Sequence, residues 1–146
     1  MHPLVVIDAS IWASRLMPQD VNHIASVAWV DRYRESGGLI TAPDFILVEI
    51  AASLTRRTGH ASLAKESIRY LNYHGPVRIV PLEHFHIQEA ARLATDLRLK
   101  AGDAIYVALA WQTRCPLVSW DNEQLQRAAN LIETYTPVTF PFQPVR

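Results

Sequence analysis

"LVVIDAS" occupies residues 4–10, and its reading decides the fold. Leu4, Val5, Val6 and Ile7 are apolar with no alternation. A strand with one wet face alternates; an unbroken apolar run belongs to a strand covered on both faces, the habit of parallel sheets. Asp8 follows at once, so the run ends in a carboxylate where the strand's C-terminus falls.

Working outward, "LIT" at 39–41, "VRIV" at 77–80 and "LVS" at 117–119 are further short strands, and "LIETY" at 131–135 is a candidate edge strand. Helical patterns lie between them. From Asp20, apolar residues at Val21, Ile24, Val27, Ala28 and Val30 fit helical spacing, ended by "SGG" at 36–38. Pro43 starts the next helix, with Asp44 in its first turn, running through "FILVEIAASLTRR". Further helices are expected over 60–72, 83–97, from "AGD" to Arg114, and over 123–129; the pair His84 and His86 decorates a helix start. Strands alternating with helices imply βαβ units. The expected class is α/β: a three-layer α/β/α sandwich with a short, mainly parallel central sheet of four to five strands. One domain over 1–146 is expected, with an irregular Pro-rich tail from about 137.

The 146 residues are 49% hydrophobic and 19% charged, which excludes a disordered chain. Fourteen basic residues balance fourteen acidic ones, so bulk charge gives no nucleic-acid or membrane signal; a basic surface has to be a local patch. The only cysteine, Cys115, reads as a small buried hydrophobe and fits a reducing, cytoplasmic setting. No apolar run is long enough for a membrane span.

Four acids stand in unusual places. Asp8 ends the first strand, Asp121 lies just beyond "LVS", Asp103 heads the apolar run "AIYVALA", and Glu49 interrupts "FILVEIAA". Each has a plain structural reading. Asp8 fits a loop satisfied by backbone N–H groups, Asp121 and Asp103 fit helix caps, and Glu49 fits an ion pair with Arg56. Yet ligands bind at the carboxyl edge of open α/β sheets, and all four acids can reach that edge although 41, 54 and 18 residues separate them. Two unit charges 4 Å apart repel by about 4 kcal/mol at an effective dielectric of ~20. Such a cluster binds protons or a cation, and oxygen-only donors select Mg²⁺ or Mn²⁺. The six histidines are scattered and lack nearby cysteine, which argues against zinc. A carboxylate-held divalent ion suits phosphodiester hydrolysis. No Gly-rich phosphate loop or Ser-His-Asp elbow competes. Ser10, Ser119 and Asn122 are candidates to steady such a site or its waters.

Four segments together resemble a known family. "VVIDASIW", "APDFILVEIAASLTRR", "LKAGDAIYVALA" and "PLVSWDNEQL" follow, in order, the four acidic motifs of PIN domains, and in particular of the VapC-type toxins of bacterial toxin–antitoxin pairs. Ser119 stands where the family more often has Thr and keeps the hydroxyl. The resemblance implies a metal-dependent endoribonuclease with Asp8, Glu49, Asp103 and Asp121 as its acidic site. Asp8 and Asp103 would be the direct Mg²⁺ (or Mn²⁺) ligands; Glu49 and Asp121 would act partly through water or help deprotonate it. It also implies 5′-phosphate and 3′-hydroxyl products, a homodimer, and a cognate VapB-type antitoxin whose C-terminal segment blocks the acidic groove.

An acidic site repels RNA, so cations must hold the backbone. Arg56 and Arg57, with Lys65 and Arg69 on the next helix, are the candidates. Trp12 and Trp120, close to the acids, are the candidates for base stacking. The rival reading is a catalytically inactive PIN-like RNA-binding or regulatory module. An Asp-nucleophile phosphatase ranks low because Ser10 stands where a second Asp is needed.

Overall fold

The computed structural model describes residues 3–143. Its five strands are β1 (Leu4–Ile7), β2 (Leu39–Pro43), β3 (Val77–Val80), β4 (Leu117–Val118) and β5 (Thr134–Tyr135). They form one sheet in the order β3-β2-β1-β4-β5, and every pairing is parallel. The helices are α1 (Ala9–Leu16), α2 (His23–Glu35), α3 (Phe45–Thr58), α4 (Ala61–Tyr73), α5 (His84–Leu97), α6 (Ala101–Thr113) and α7 (Asn122–Ala128). Right-handed crossovers put the helices that lead toward β2 and β3 on one face and those that lead toward β4 and β5 on the other. The packing agrees: α1 lies on α2 and α3, α3 on α4, and α5 on α6, which in turn covers β1, β2 and β4. The result is the expected three-layer α/β/α sandwich.

β1 lies at the centre, between β2 and β4, and Val5, Val6 and Ile7 are fully buried. That is why the run lacks alternation. Ile40, Ala42, Leu117 and Val118 complete the same dry layer, with Ile46, Ile50 and Leu54 of α3 and Tyr106 to Ala110 of α6 above and below it. Cys115 is buried, as expected of a small hydrophobe. His86 does decorate a helix start: its Nδ1 accepts from Glu83 N at 2.9 Å in a capping box.

Several expectations need correction. The helix from Asp20 begins at His23, and its apparent apolar face points outward: Val21 is 94% and Ile24 82% exposed. Of the expected positions only Val30 is fully buried, on a packing face it shares with Ser26, Trp29 and Tyr33. Ser26 meets Ser14 of α1, oxygen to oxygen, at 2.6 Å. A pair of small hydroxyl residues closes the helix contact, so counting apolar positions picked the wrong side. Pro43 ends β2 rather than starting α3; it pairs in register with Val80, and Asp44 N donates to Val80 O at 2.9 Å. Proline, without an N–H, is tolerated past the end of the neighbouring β1, where no further ladder bond is asked of it. The helix α1 was not expected at all. Of "LIETY" only Thr134 and Tyr135 form a strand. The tail from Pro137 has no regular element among the described residues, but it is packed: Phe140 is buried against Trp29, Tyr33, Tyr135 and Phe142. Residues 144–146 of the expected tail lie outside the described residues.

Candidate active site

In the order β3-β2-β1-β4-β5 the chain leaves β1 toward β2 and leaves β4 toward β5, in opposite directions. The carboxyl edge therefore opens between β1 and β4, the switch point where α/β sheets bind ligands. Asp8 follows β1 and Ser119 follows β4, so both stand at that opening.

Asp8 is buried and held from three sides. Its Oδ1 accepts from Ser10 Oγ at 2.5 Å and Ser10 N at 3.1 Å, and its Oδ2 accepts from Ser119 Oγ at 2.6 Å. The Ser10 amide bond makes Asp8 the N-cap of α1, so its plain reading is realised as well. The serines are tied in turn: Trp120 N donates to Ser10 Oγ at 3.0 Å and Asp121 N to Ser119 Oγ at 2.9 Å. Burial pushes the Asp8 carboxyl up from its ordinary 3.8 to about 6; the serine hydrogen bonds oppose this, and the nearby Glu49 charge adds to it.

Asp103 stands in the first turn of α6, whose N-cap is Lys100 with no side-chain cap. It is half-buried, and burial followed by the charges of Asp121 and Glu49 raises it to about 6, with Lys100 pulling the other way. An acid placed only to complement a helix dipole would be lowered instead. Asp121 does cap its helix: its Oδ1 accepts from Gln124 N at 3.1 Å. Gln124 Nε2 then donates to the Asp103 carbonyl at 3.3 Å, which fastens the head of α6 to α7.

Glu49 is half-buried on α3, and its Oε1 is buried without a hydrogen-bond partner. The expected ion pair with Arg56 is not made; Arg56 Nε instead approaches the Ala52 carbonyl at 3.4 Å. The Tyr106 hydroxyl, one turn along α6 from Asp103, is also buried without a bond of standard geometry. The two lie close enough to affect each other: burial raises Glu49 while Tyr106 lowers it, and burial and the Glu49 charge drive Tyr106 upward. Gly102 makes room for this approach, since a Cβ there would stand 3.4 Å from Glu49 Oε1 and 3.2 Å from the Phe45 ring. Tyr106 and Gly102 were not singled out in the sequence. The signal was present in their spacing from Asp103.

The four acids thus meet at one edge. They couple in pairs: Asp8 with Glu49, Glu49 with Asp103, Asp103 with Asp121. Among the described residues no three His, Cys, Asp or Glu side chains form a ready-made metal cage. Asn122 is exposed at the start of α7.

Beside the acids lies a cleft of about 370 Å³ whose wall includes Ser10, Glu49, Ser53, Arg56, Arg57 and Trp120. Arg57 is committed to Asp20, Nη2 to Oδ2 at 2.7 Å. Lys65 and Arg69 are exposed on α4 and do not line the cleft. Trp12 is fully buried, with its ring stacked 6.2 Å from Tyr70, so it offers no face to a base. Trp120 is half-buried and does line the cleft.

The family model for the PIN domain matches residues 5–131. The chain belongs to the PIN domain family. No curated protein matches it in sequence. Solved structures share its fold at low identity. VapC20 of Mycobacterium tuberculosis, a sarcin-ricin-loop-cleaving toxin, is 19% identical with a TM-score of 0.71, over 88% of this chain and 97% of its own. FitAcB of Neisseria gonorrhoeae is 15% identical with a TM-score of 0.67, over 93% and 99%. VapBC2 of Rickettsia felis, bound to a DNA fragment from its promoter, is 12% identical with a TM-score of 0.66, over 91% and 98%. Among the described residues no helix is long and apolar enough to cross a membrane.

Proposed function

We propose that this protein is a Mg²⁺- or Mn²⁺-dependent endoribonuclease and the toxin of a VapBC-type pair. The observation that carries the reading is the convergence of Asp8, Glu49, Asp103 and Asp121 at the β1–β4 opening, with Asp8 and Asp103 both raised to about 6. A buried carboxylate oxygen without a partner is costly, and Glu49 Oε1 is one. An all-oxygen set of this kind fits a hard divalent ion, and Mg²⁺ in particular keeps several waters, so pairs of carboxylates suffice where no closed cage exists.

Asp8 and Asp103 would hold the ion, with Glu49 and Asp121 around it through water. Bound there, the ion supplies charge neutralisation and Lewis acidity for phosphodiester hydrolysis. The protein's own part is positional. Ser10 and Ser119 fix both oxygens of Asp8; Oδ1 accepts twice, which leaves the spare acceptor capacity on Oδ2. Glu49, whose buried Oε1 makes no hydrogen bond of standard geometry and has the Tyr106 hydroxyl beside it, would take a proton from the attacking water.

The test is cleavage of RNA by the purified chain. Cleavage with Mg²⁺ or Mn²⁺ that stops in EDTA, and stops in Asp8→Asn and Asp103→Asn while circular dichroism is unchanged, is the expected result. Full activity in EDTA or in either variant sinks the reading. Toxicity is tested by growth arrest on expression, relieved by Asp8→Asn. Solved relatives include a toxin–antitoxin complex from Klebsiella pneumoniae, which supports looking for a small neighbouring reading frame whose product suppresses that arrest. A homodimer is part of the same proposal, and sedimentation at micromolar concentration tests it.

A further inference from the structure

Trp120 stands where the acidic edge meets the adjoining cleft, and both of its N–H groups are committed. The amide donates to Ser10 Oγ at 3.0 Å and the indole Nε1–H to Ser26 Oγ at 2.8 Å. The direction of the hydroxyl chain behind it follows by elimination. Ser14 Oγ donates to the Ile11 carbonyl at 2.9 Å, so it must accept from Ser26 Oγ across their 2.6 Å contact, which leaves Ser26 free to accept from the indole. Ser14 and Ser26 are buried, so the ring is anchored on a dry, fully satisfied relay between α1 and α2. What Trp120 shows to the cleft is indole surface with no polar donor to spare.

On the cleft wall beside it stand Arg56 and Arg57. Arg57 is spent on Asp20. Among the described residues Arg56 pairs with no carboxylate; its one polar contact is Nε to the Ala52 carbonyl at 3.4 Å. The cleft therefore holds a rigid aromatic surface and an uncommitted guanidinium, next to Glu49. A fixed indole accepts any base by stacking, and a guanidinium is the planar fork that suits a phosphate. With balanced charge over the whole chain, affinity for a polyanion has to come from such local cations.

We propose that this cleft is the subsite for the nucleotide flanking the cleaved bond, its base against Trp120 and its phosphate on Arg56. The assignment rests on the ribonuclease reading and adds to it where the strand is gripped. The relay gives Ser26 a positioning role: it sets the angle of the indole without touching RNA.

Binding of a labelled single-stranded RNA of mixed sequence to the full chain, followed by anisotropy in EDTA, tests the subsite without turnover. Trp120→Leu is expected to raise Kd about tenfold, and Trp120→Phe by much less. Arg56→Gln is expected to reduce the slope of log K against log salt by about 0.7, one single-strand phosphate contact. Arg56 is exposed, so its variant folds whatever becomes of Trp120→Leu, and an unchanged slope in Arg56→Gln overturns the proposal. Unchanged affinity in a folded Trp120→Leu also overturns it. Metal-dependent cleavage insensitive to both changes would sink the subsite and spare the ribonuclease. The expected binding pattern with no cleavage would sink the ribonuclease and leave the cleft as an RNA grip without a cleaved bond beside it.

Discussion

Asp8 is where electrostatics and stability meet. Its carboxyl is raised from 3.8 to about 6 by burial, a difference worth about 3 kcal/mol at 1.36 kcal/mol per pK unit. The sign follows from proton counts. Between those values the folded chain holds a proton that the unfolded chain has released, so stability falls as pH rises from about 4 to about 6 and then levels. Without metal, Asp8→Asn removes that cost. Asn keeps an oxygen for Ser10, but its amide meets Ser119 Oγ, which then loses an acceptor for its own hydrogen. The expected net gain at neutral pH is therefore about 1–2 kcal/mol, less than the titration alone gives. Urea unfolding of both proteins in EDTA checks it. The difference between them should grow from pH 4 to pH 7, and a constant difference would refute the burial account. Gly102 argues a second case. A methyl there approaches Glu49 Oε1 at 3.4 Å and the Phe45 ring at 3.2 Å, while Ala is the better helix former by up to ~1 kcal/mol. Gly102→Ala should leave the melting temperature within a few degrees and yet lower RNA turnover, because the Phe45 ring must give by a few tenths of an ångström and the new methyl sits in contact with the Glu49 carboxylate.

Elements differ in how openly they were written into the sequence. β1 was legible because burial on both faces needs an unbroken β-branched run, whereas β3, an edge strand with Arg78 exposed, was legible from "VRIV" bounded by "GP" and Pro81. The four acids were legible as a group because each stands against an apolar stretch: Asp8 and Asp121 just after a buried strand, Asp103 at the head of "AIYVALA" and Glu49 inside "FILVEIAA". The rest was hidden for physical reasons. α1 starts one residue after β1 with no turn signal, since Asp8 serves as strand end and helix cap at once. The packing face of α2 was hidden because hydroxyls of Ser14 and Ser26, which sequence patterning counts as surface, make its closest contact. Trp12 was misjudged because nearness in sequence to Asp8 does not tell which side of α1 a ring takes; it went into the core. α2 and β2 are joined through Gly38, where a Cβ would fall 2.3 Å from the Tyr33 ring. Tyr33 is gripped by Trp29 at 5.2 Å and Phe140 at 5.6 Å and has nowhere to go. Gly38→Ala should therefore cost about 2–3 kcal/mol, read as a lower urea midpoint. Phe140→Ala should cost about 2–4 kcal/mol by emptying the same aromatic nest, which shows that the irregular tail belongs to the core of the fold.

At the scale of the whole molecule, the acidic edge is a local charge excess held together by the fold. Net charge is zero, so the excess is local to this edge. Asp8 and Asp103 stand at about 6, so near neutral pH both are mostly ionised and repel their acidic neighbours, a repulsion that Lys100 beside Asp103 only partly offsets. A cation that binds this edge binds only the folded chain, because the acids lie far apart in sequence and meet only through the parallel sheet. Mass action then makes binding visible as stability: about 2.7 kcal/mol at a hundred times Kd. For a chain of this size that is a rise in Tm of about 5–10 °C. Thermal unfolding with Mn²⁺ against EDTA at about pH 7 should show that rise, and the Asp8→Asn/Asp103→Asn double variant should lack it while melting higher than the wild type in EDTA. A wild type whose Tm ignores both Mn²⁺ and Mg²⁺ at millimolar concentration would mean that protons alone neutralise the edge, and the metal-dependent reading would fall with it.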